Sequence, residues 1–229
     1  MASGILYVVA TPIGNLGDIA YRAVEVLKSV DWIACEDTRH SKILLDHYGI
    51  SKPLISYFDF SESKKAPELV KRLKEGQRGA LISDAGTPGV ADPGYRLIAK
   101  AREAGIAIEV IPGASAFLVG LILSGFPMHR FAYEGFAPVK DGARKKWFQD
   151  LSSQDRTIVF YESPHRLLKT LKAMKEILGD VEIAVARELT KKFEEVLRDR
   201  LSVVLEHFSR GKVLGEFVIV WSPKKGLDE

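Results

Sequence analysis

Short apolar runs alternate with helical segments along this chain, and that alternation restricts its fold more than any other feature. ILYVVA (5–10), WIAC (32–35), a weaker LISY (54–57), GALIS (79–83) and AIEVI (107–111) have the length and β-branched content of strands. Between them, residues 18–30, 41–48, 67–75 and 95–104 carry helical spacing, with Ala23, Val26, Leu27 and Val30 on one face. Asp18 is the expected N-cap of the first helix, and Asp92 with Pro93 behind it the expected start of the fourth. Strands alternating with helices predict a parallel sheet, and runs without polar alternation predict strands covered on both faces.

In such a sheet every strand-to-helix connection opens on the same edge, where open α/β sheets place ligands. TPIGNLGD (11–18), EDTR (36–39), SDAGTP (83–88) and PGASA (112–116) are therefore expected to form one rim. The densest is LISDAGTPGVADPG (81–94), where glycines permit left-handed backbone or close ligand approach and prolines stiffen the loop.

The second half repeats the pattern less regularly. A hinge-like stretch, 126–139, holds Pro127, Gly135 and Pro138. Helix 143–151, strand 157–161, a helix begun by Ser163 and Pro164, strand 182–186, helix 201–208 and strand 214–221 follow. Two α/β domains are predicted, 1–125 with a parallel sheet and 126–229 with a mixed sheet.

Composition excludes several classes. The chain has 229 residues, 46% hydrophobic and 28% charged, as an ordinary globular protein does. No apolar run has the length of a membrane span, and the start lacks the layout of a signal peptide. The single cysteine, Cys35, precludes an internal disulfide and points to a small buried side chain in a reducing cytoplasm. The net charge of +3 does not by itself announce a nucleic-acid binder. The fingerprint G-x-G-x-x-G and the P-loop are both missing. The five histidines lack zinc-ligand spacing, so no metal is expected.

Taken together, YVVATPIGNLGDI, EDTR, LISDAGTPGVADPG, IPGASA, FYESPHRL, RELTKKFEE and GEFVIV resemble the tetrapyrrole-methylase superfamily, and within it a bacterial rRNA-methylating branch. The resemblance runs from about Leu6 to Trp221, and FYESPHRL and RELTKKFEE are specific to that branch. It implies two α/β domains with a cofactor cleft between them, S-adenosylmethionine as cofactor, a homodimer, and methylation of a cytidine 2′-hydroxyl in the decoding region of 16S rRNA. Other functions compatible with the fold are carbon methylation of a tetrapyrrole and non-catalytic binding of RNA or nucleotides. Members of the branch usually continue with a small C-terminal helical segment, whereas this chain stops at Glu229.

On this resemblance the cofactor-binding residues are Pro12, Asp84, Ala85, Gly86, Thr87, Pro88, Gly113, Ala114, Ser115 and Ala116, with Tyr161 and Leu189 from the second domain. Gly86→Val is expected to block the cofactor while leaving the fold intact. A ribose hydroxyl is a weak acid, so a base or a cation near the developing alkoxide is sought. Glu162 and Glu188 are the candidate bases, with Arg187 and Lys192 as the cations placing phosphate or alkoxide. Glu36, Asp37, Arg39, Arg166 and Lys191 are candidates for holding the RNA substrate. The cluster Lys140, Arg144, Lys145 and Lys146, beside Trp147 and Phe148, is either an RNA contact or a solvated helix face.

Overall fold

The computed structural model describes residues 4–223, so the expected stop at Glu229 lies outside the described residues. The chain divides into two compact units, one ending at Ser115 and one beginning at Ala116.

In the first unit the strands are β1 (Ile5–Val9), β2 (Trp32–Cys35), β3 (Leu54–Ser56), β4 (Arg78–Leu81) and β5 (Ala107–Ile111). They form one sheet in the order β3-β2-β4-β1-β5, parallel throughout. The helices are α1 (Tyr21–Ser29), α2 (Thr38–His47), α3 (Asp59–Lys74) and α4 (Tyr95–Glu103). Successive strand residues point to opposite faces, which splits the core in two. Leu6, Ala34 and Leu81 pack with Leu69, Leu73 and Leu97 on one face. Tyr7, Ile33, Cys35 and Ala80 pack with Ala23, Leu27 and Leu45 on the other. Burial of both faces explains the unbroken apolar runs. Gly79 lies opposite Trp32, and a Cβ there would stand 2.2 Å from the indole ring, so the glycine makes room for it.

Several helix starts differ from expectation. Asp18 ends a 3-10 turn, Leu16–Asp18, capped by Asn15, and α1 begins only at Tyr21. The second helix begins earlier than residue 41, at Thr38, because the Asp37 carboxylate caps it. α3 begins at Asp59 rather than near Pro67, where the Ser61 hydroxyl accepts the Phe58 N–H at 2.9 Å; Pro67 sits inside the helix. α4 begins at Tyr95, and its N-cap is Gly94 at φ 148 rather than Asp92. Glycine brings no capping side chain, and Glu62 of α3 supplies one by accepting the Gly94 N–H at 2.6 Å.

The second unit begins with α5 (Ala116–Ser124) and then has β6 (Phe131–Phe136), α6 (Asp141–Ser152), β7 (Thr157–Glu162), α7 (Leu167–Leu178), β8 (Glu182–Arg187), β9 (Glu195–Arg200), α8 (Leu201–Ser209) and β10 (Phe217–Trp221). Its mixed sheet has the order β6-β7-β10-β8-β9, with β6 parallel to β7 and β10 antiparallel to both neighbours. The boundary at 125/126 is thus corrected to 115/116. The apolar helix α5 packs on β10, and a Cβ on Gly120 would lie 2.6 Å from Val218. The opposite sheet face carries Phe148, Phe160, Leu171, Met174, Val185, Val204 and Ile219.

Two strands had no counterpart in the expected order. β6 occupies the supposed hinge, and its register shifts between Tyr133 and Phe136 around Gly135 at φ 67. β9 begins inside RELTKKFEE and forms the sheet edge.

Candidate functional site

The loops at the carboxyl ends of β1, β4 and β5 are joined in the first unit. Thr11 and Gly86 exchange backbone hydrogen bonds of 2.8 and 3.1 Å, and the Thr11 hydroxyl donates to the Ser83 carbonyl at 3.1 Å. The Thr87 hydroxyl donates to the Ala114 carbonyl at 3.4 Å and lies 3.1 Å from the Ser115 hydroxyl. Glu62 holds the far end of loop 83–94 through Gly94. Left-handed backbone recurs along this loop at Gly86, Gly89 and Ala91. Ala91, with φ 64, carries a side chain in that region, which costs energy and persists only where the surroundings fix it.

So pinned, the loops leave donors open. The backbone N–H groups of Ala85, Thr87, Ala114 and Ser115 make no hydrogen bond among the described residues. Main-chain donors that stay unpaired on a rigid rim are a recognition surface for a polar ligand. Unpaired N–H donors of this kind suit a ligand rich in acceptors, such as a carboxylate or a nucleoside. Gly86, however, is buried at φ 84, so Gly86→Val strains the backbone directly; the expectation that it acts through ligand space alone is corrected.

A carboxylate cluster lies at the same edge, where β2 and β4 are neighbours. The Asp37 N–H donates to Asp84 at 3.2 Å. Burial, then the charges of Glu36 and Asp84, push the Asp92 carboxyl up to about 7. Burial and Asp84 also raise Glu36. Asp37 moves the other way, held well below its ordinary range by the Arg39 side chain and backbone N–H. Arg39 pairs with it at 2.8 Å while remaining largely exposed. Asp37 and Arg39 thus serve first as a helix start. Cys35 is buried, and burial raises its thiol above the usual range.

The second unit's candidates are mostly engaged with one another. Glu162 is 1% exposed. Its carboxylate accepts from the Ser163 N–H at 2.7 Å, from Arg166 at 2.7 Å and from the Thr170 hydroxyl at 2.5 Å. A buried carboxylate filled in this way fixes the turn after β7, and the base role expected for it is corrected. Arg166 also donates to the Ala137 carbonyl at 3.1 Å, which ties the loop after β6 to the same turn. Arg187 donates to the Leu214 carbonyl at 2.7 Å and pairs with Glu195 at 3.3 Å. Glu162 and Arg187 are not on adjacent strands: β10 runs between, with Phe217 opposite both.

Glu188 stands at φ 50 and accepts from Lys191 at 3.0 Å and from the Glu216 N–H at 3.1 Å. Burial works to raise its carboxyl, but these donors outweigh it and hold the group below its ordinary range, which makes it a weak base. Lys191 lies between Glu188 and Glu216, at 3.0 and 2.8 Å, so its ammonium is not offered to phosphate. Lys192 is exposed and has no ion-pair partner among the described residues.

Tyr161 and Leu189 take up defined places within their own unit. The Tyr161 oxygen accepts the Phe117 N–H at 3.1 Å in the first turn of α5, which Ala116 opens. Leu189 is buried. In the basic cluster of α6, Arg144 is buried against the Pro138 and Val139 carbonyls, Lys145 pairs with Asp141 and Glu176, Phe148 is core, and Lys140 and Lys146 stay exposed. Sequence reasoning missed Glu62, whose role depends on a helix distant in sequence.

These loops and sheets define a class. The profile of the family described as tetrapyrrole (corrin/porphyrin) methylases matches residues 5–204, and the chain belongs to that family. Solved structures agree in fold: diphthine synthase superposes with a TM-score of 0.75 at 18% identity, covering 96% of this chain and 90% of that one. Uroporphyrin-III-C-methyltransferase from Thermus thermophilus gives 0.68 at 21% identity, covering 96% and 95%. Within the family the chain is similar to proteins named ribosomal RNA small subunit methyltransferase I. The Haemophilus influenzae protein is 48% identical over 99% of this chain and 81% of its own length. The Thermotoga maritima protein is 44% identical over 97% of this chain and 100% of its own length.

Proposed function

We propose that this chain transfers a methyl group from S-adenosylmethionine to the ribose 2′-hydroxyl of a cytidine in the decoding region of 16S rRNA, cytidine 1402. The observation that carries the reading is the likeness to the Haemophilus influenzae relative across 99% of the chain. When bound, S-adenosylmethionine supplies a methyl group on a positively charged sulfur. The chain's own part is placement. Loops 83–94 and 112–115 present unpaired N–H donors from a backbone that Thr11, Thr87 and Glu62 hold rigid, which favours an in-line approach of hydroxyl to methyl. Asp92 of this rim is pushed up to about 7 by burial and the nearby Glu36 and Asp84 charges, as suits a proton acceptor for an alcohol. Its role replaces that of Glu162 and Glu188. No described helix is long and apolar enough to cross a membrane; on this reading the enzyme works where small ribosomal subunits are, in the cytoplasm.

The test is incubation of the purified chain with labelled S-adenosylmethionine and small ribosomal subunits from cells lacking the gene. Label entering 16S rRNA supports the reading, and no transfer to either the subunit or the naked rRNA rejects it.

A further inference from the structure

We propose that the turn between β8 and β9 presents a stacking contact for an unpaired nucleobase, with Phe193 as the platform and Lys192 as its cation. The inference rests on the reading of RNA as substrate and adds where the RNA is gripped. Phe193 is 67% exposed, and the Lys192 ammonium lies 5.6 Å from the centre of its ring.

The turn that carries this pair is built at a cost. Residues 188–194 join two antiparallel strands for which two to five residues suffice. Two side-chain-bearing residues, Glu188 and Thr190, stand at φ 50 and 64. Hydrogen bonds fix the strained path. The Lys191 N–H donates to the Glu188 carbonyl at 3.0 Å and the Glu194 N–H to the Lys191 carbonyl at 3.1 Å. The Thr190 N–H reaches the Glu194 carboxylate at 2.6 Å. From the facing strand, Glu216 exchanges backbone and side-chain bonds with Glu188. Gly215 is required beside it, because a Cβ there would come within 2.6 Å of the Glu188 side chain. This order turns Leu189 inward and leaves Phe193 outward.

Rigid presentation of an aromatic ring to water opposes the hydrophobic effect unless a flat partner covers it. A base in a duplex has both faces stacked, whereas an unpaired base offers one to an aromatic side chain. Lys192 adds charge complementarity. Its neighbours Arg187 and Lys191 are neutralised by Glu195, Glu188 and Glu216, while Lys192 has no carboxylate partner among the described residues and can meet the base or its phosphate.

The experiment measures methylation kinetics of the full chain with small ribosomal subunits as the varied substrate. It compares wild type, Phe193→Ala, Phe193→Trp and Lys192→Gln. Phe193→Ala is expected to raise KM for the subunit by about tenfold, the scale of one lost base stack. S-adenosylmethionine affinity by calorimetry, melting temperature and sedimentation should stay at wild-type values. Phe193→Trp is expected to restore KM, and Lys192→Gln to make KM less dependent on salt. An unchanged KM in Phe193→Ala overturns the proposal, as does failure of tryptophan to rescue, or a KM defect that travels with loss of a dimer. Absence of methylation by the wild type would instead overturn the RNA reading beneath it.

Discussion

Asp92 is the residue where local environment and chemistry meet most directly. Burial penalises its charge first, and Glu36 and Asp84 then repel it, so its carboxyl titrates at about 7 rather than in the ordinary carboxylate range. The sign of the stability effect follows. Between about pH 4 and 7 the folded chain keeps a proton that the unfolded chain has lost. Asp92 therefore contributes stability at low pH that disappears as pH rises through 7. Asp92→Asn stays neutral at every pH, so the variant's melting temperature should gain on wild type from pH 5 to about pH 7 and then level off. Parallel melting curves across that range would show that Asp92 titrates as an ordinary carboxyl. The sequence could not convey this, since Asp92 before a proline reads equally as a helix cap. Glu162 shows the converse. A carboxylate after a strand looks the same in sequence whether it faces a substrate or is enclosed by Ser163, Arg166 and Thr170.

Among elements, α5 shows how one glycine decides packing. Glycine inside a helix costs about 1 kcal/mol relative to alanine, so Gly120 is held against helix propensity. Val218 on central strand β10 explains it, because even a Cβ at 120 would meet the valine at 2.6 Å. Gly120→Val should destabilise the chain by about 1–3 kcal/mol, the scale of overpacking. Thermal melts should fall by about 2–4 °C per kcal/mol; an unchanged melting temperature would mean that α5 can shift away from the sheet. The regular elements were legible where period and burial agreed: ILYVVA, WIAC and TIVFY are interior strands covered on both faces. β6 was not, because FAYEGF is broken by Gly135 and a register shift. Nor was β9, because EVLRDR is an edge strand and carries the charges that keep edges from pairing with other chains. The α5 boundary was hidden for a related reason, since an apolar helix does not announce which sheet it covers.

For the whole molecule, the candidate rim was largely readable, since strand-to-helix loops of a parallel sheet share one edge whatever their side chains do. Which side chains stay available was not readable, because that depends on partners such as Glu216 for Lys191 and Asp37 for Arg39. Oligomeric state belongs to this scale too. Leu118, Ile122 and Leu123 of α5 are 41%, 62% and 44% exposed. An apolar patch on one helix favours a self-complementary contact. Light scattering at micromolar concentration should give a mass of twice 25.4 kDa, and Ile122→Asp should lower it to one chain. A wild-type monomer would count against the patch as an interface. The chemical position of the methyl group tests the proposed reaction directly. After reaction with small subunits, the 16S rRNA is digested to nucleosides and separated by liquid chromatography with mass detection. The expected product is 2′-O-methylcytidine, formed by wild type and restored in cells lacking the gene by the cloned chain. Methyl groups found only on a base, or on no nucleoside at all, would contradict it.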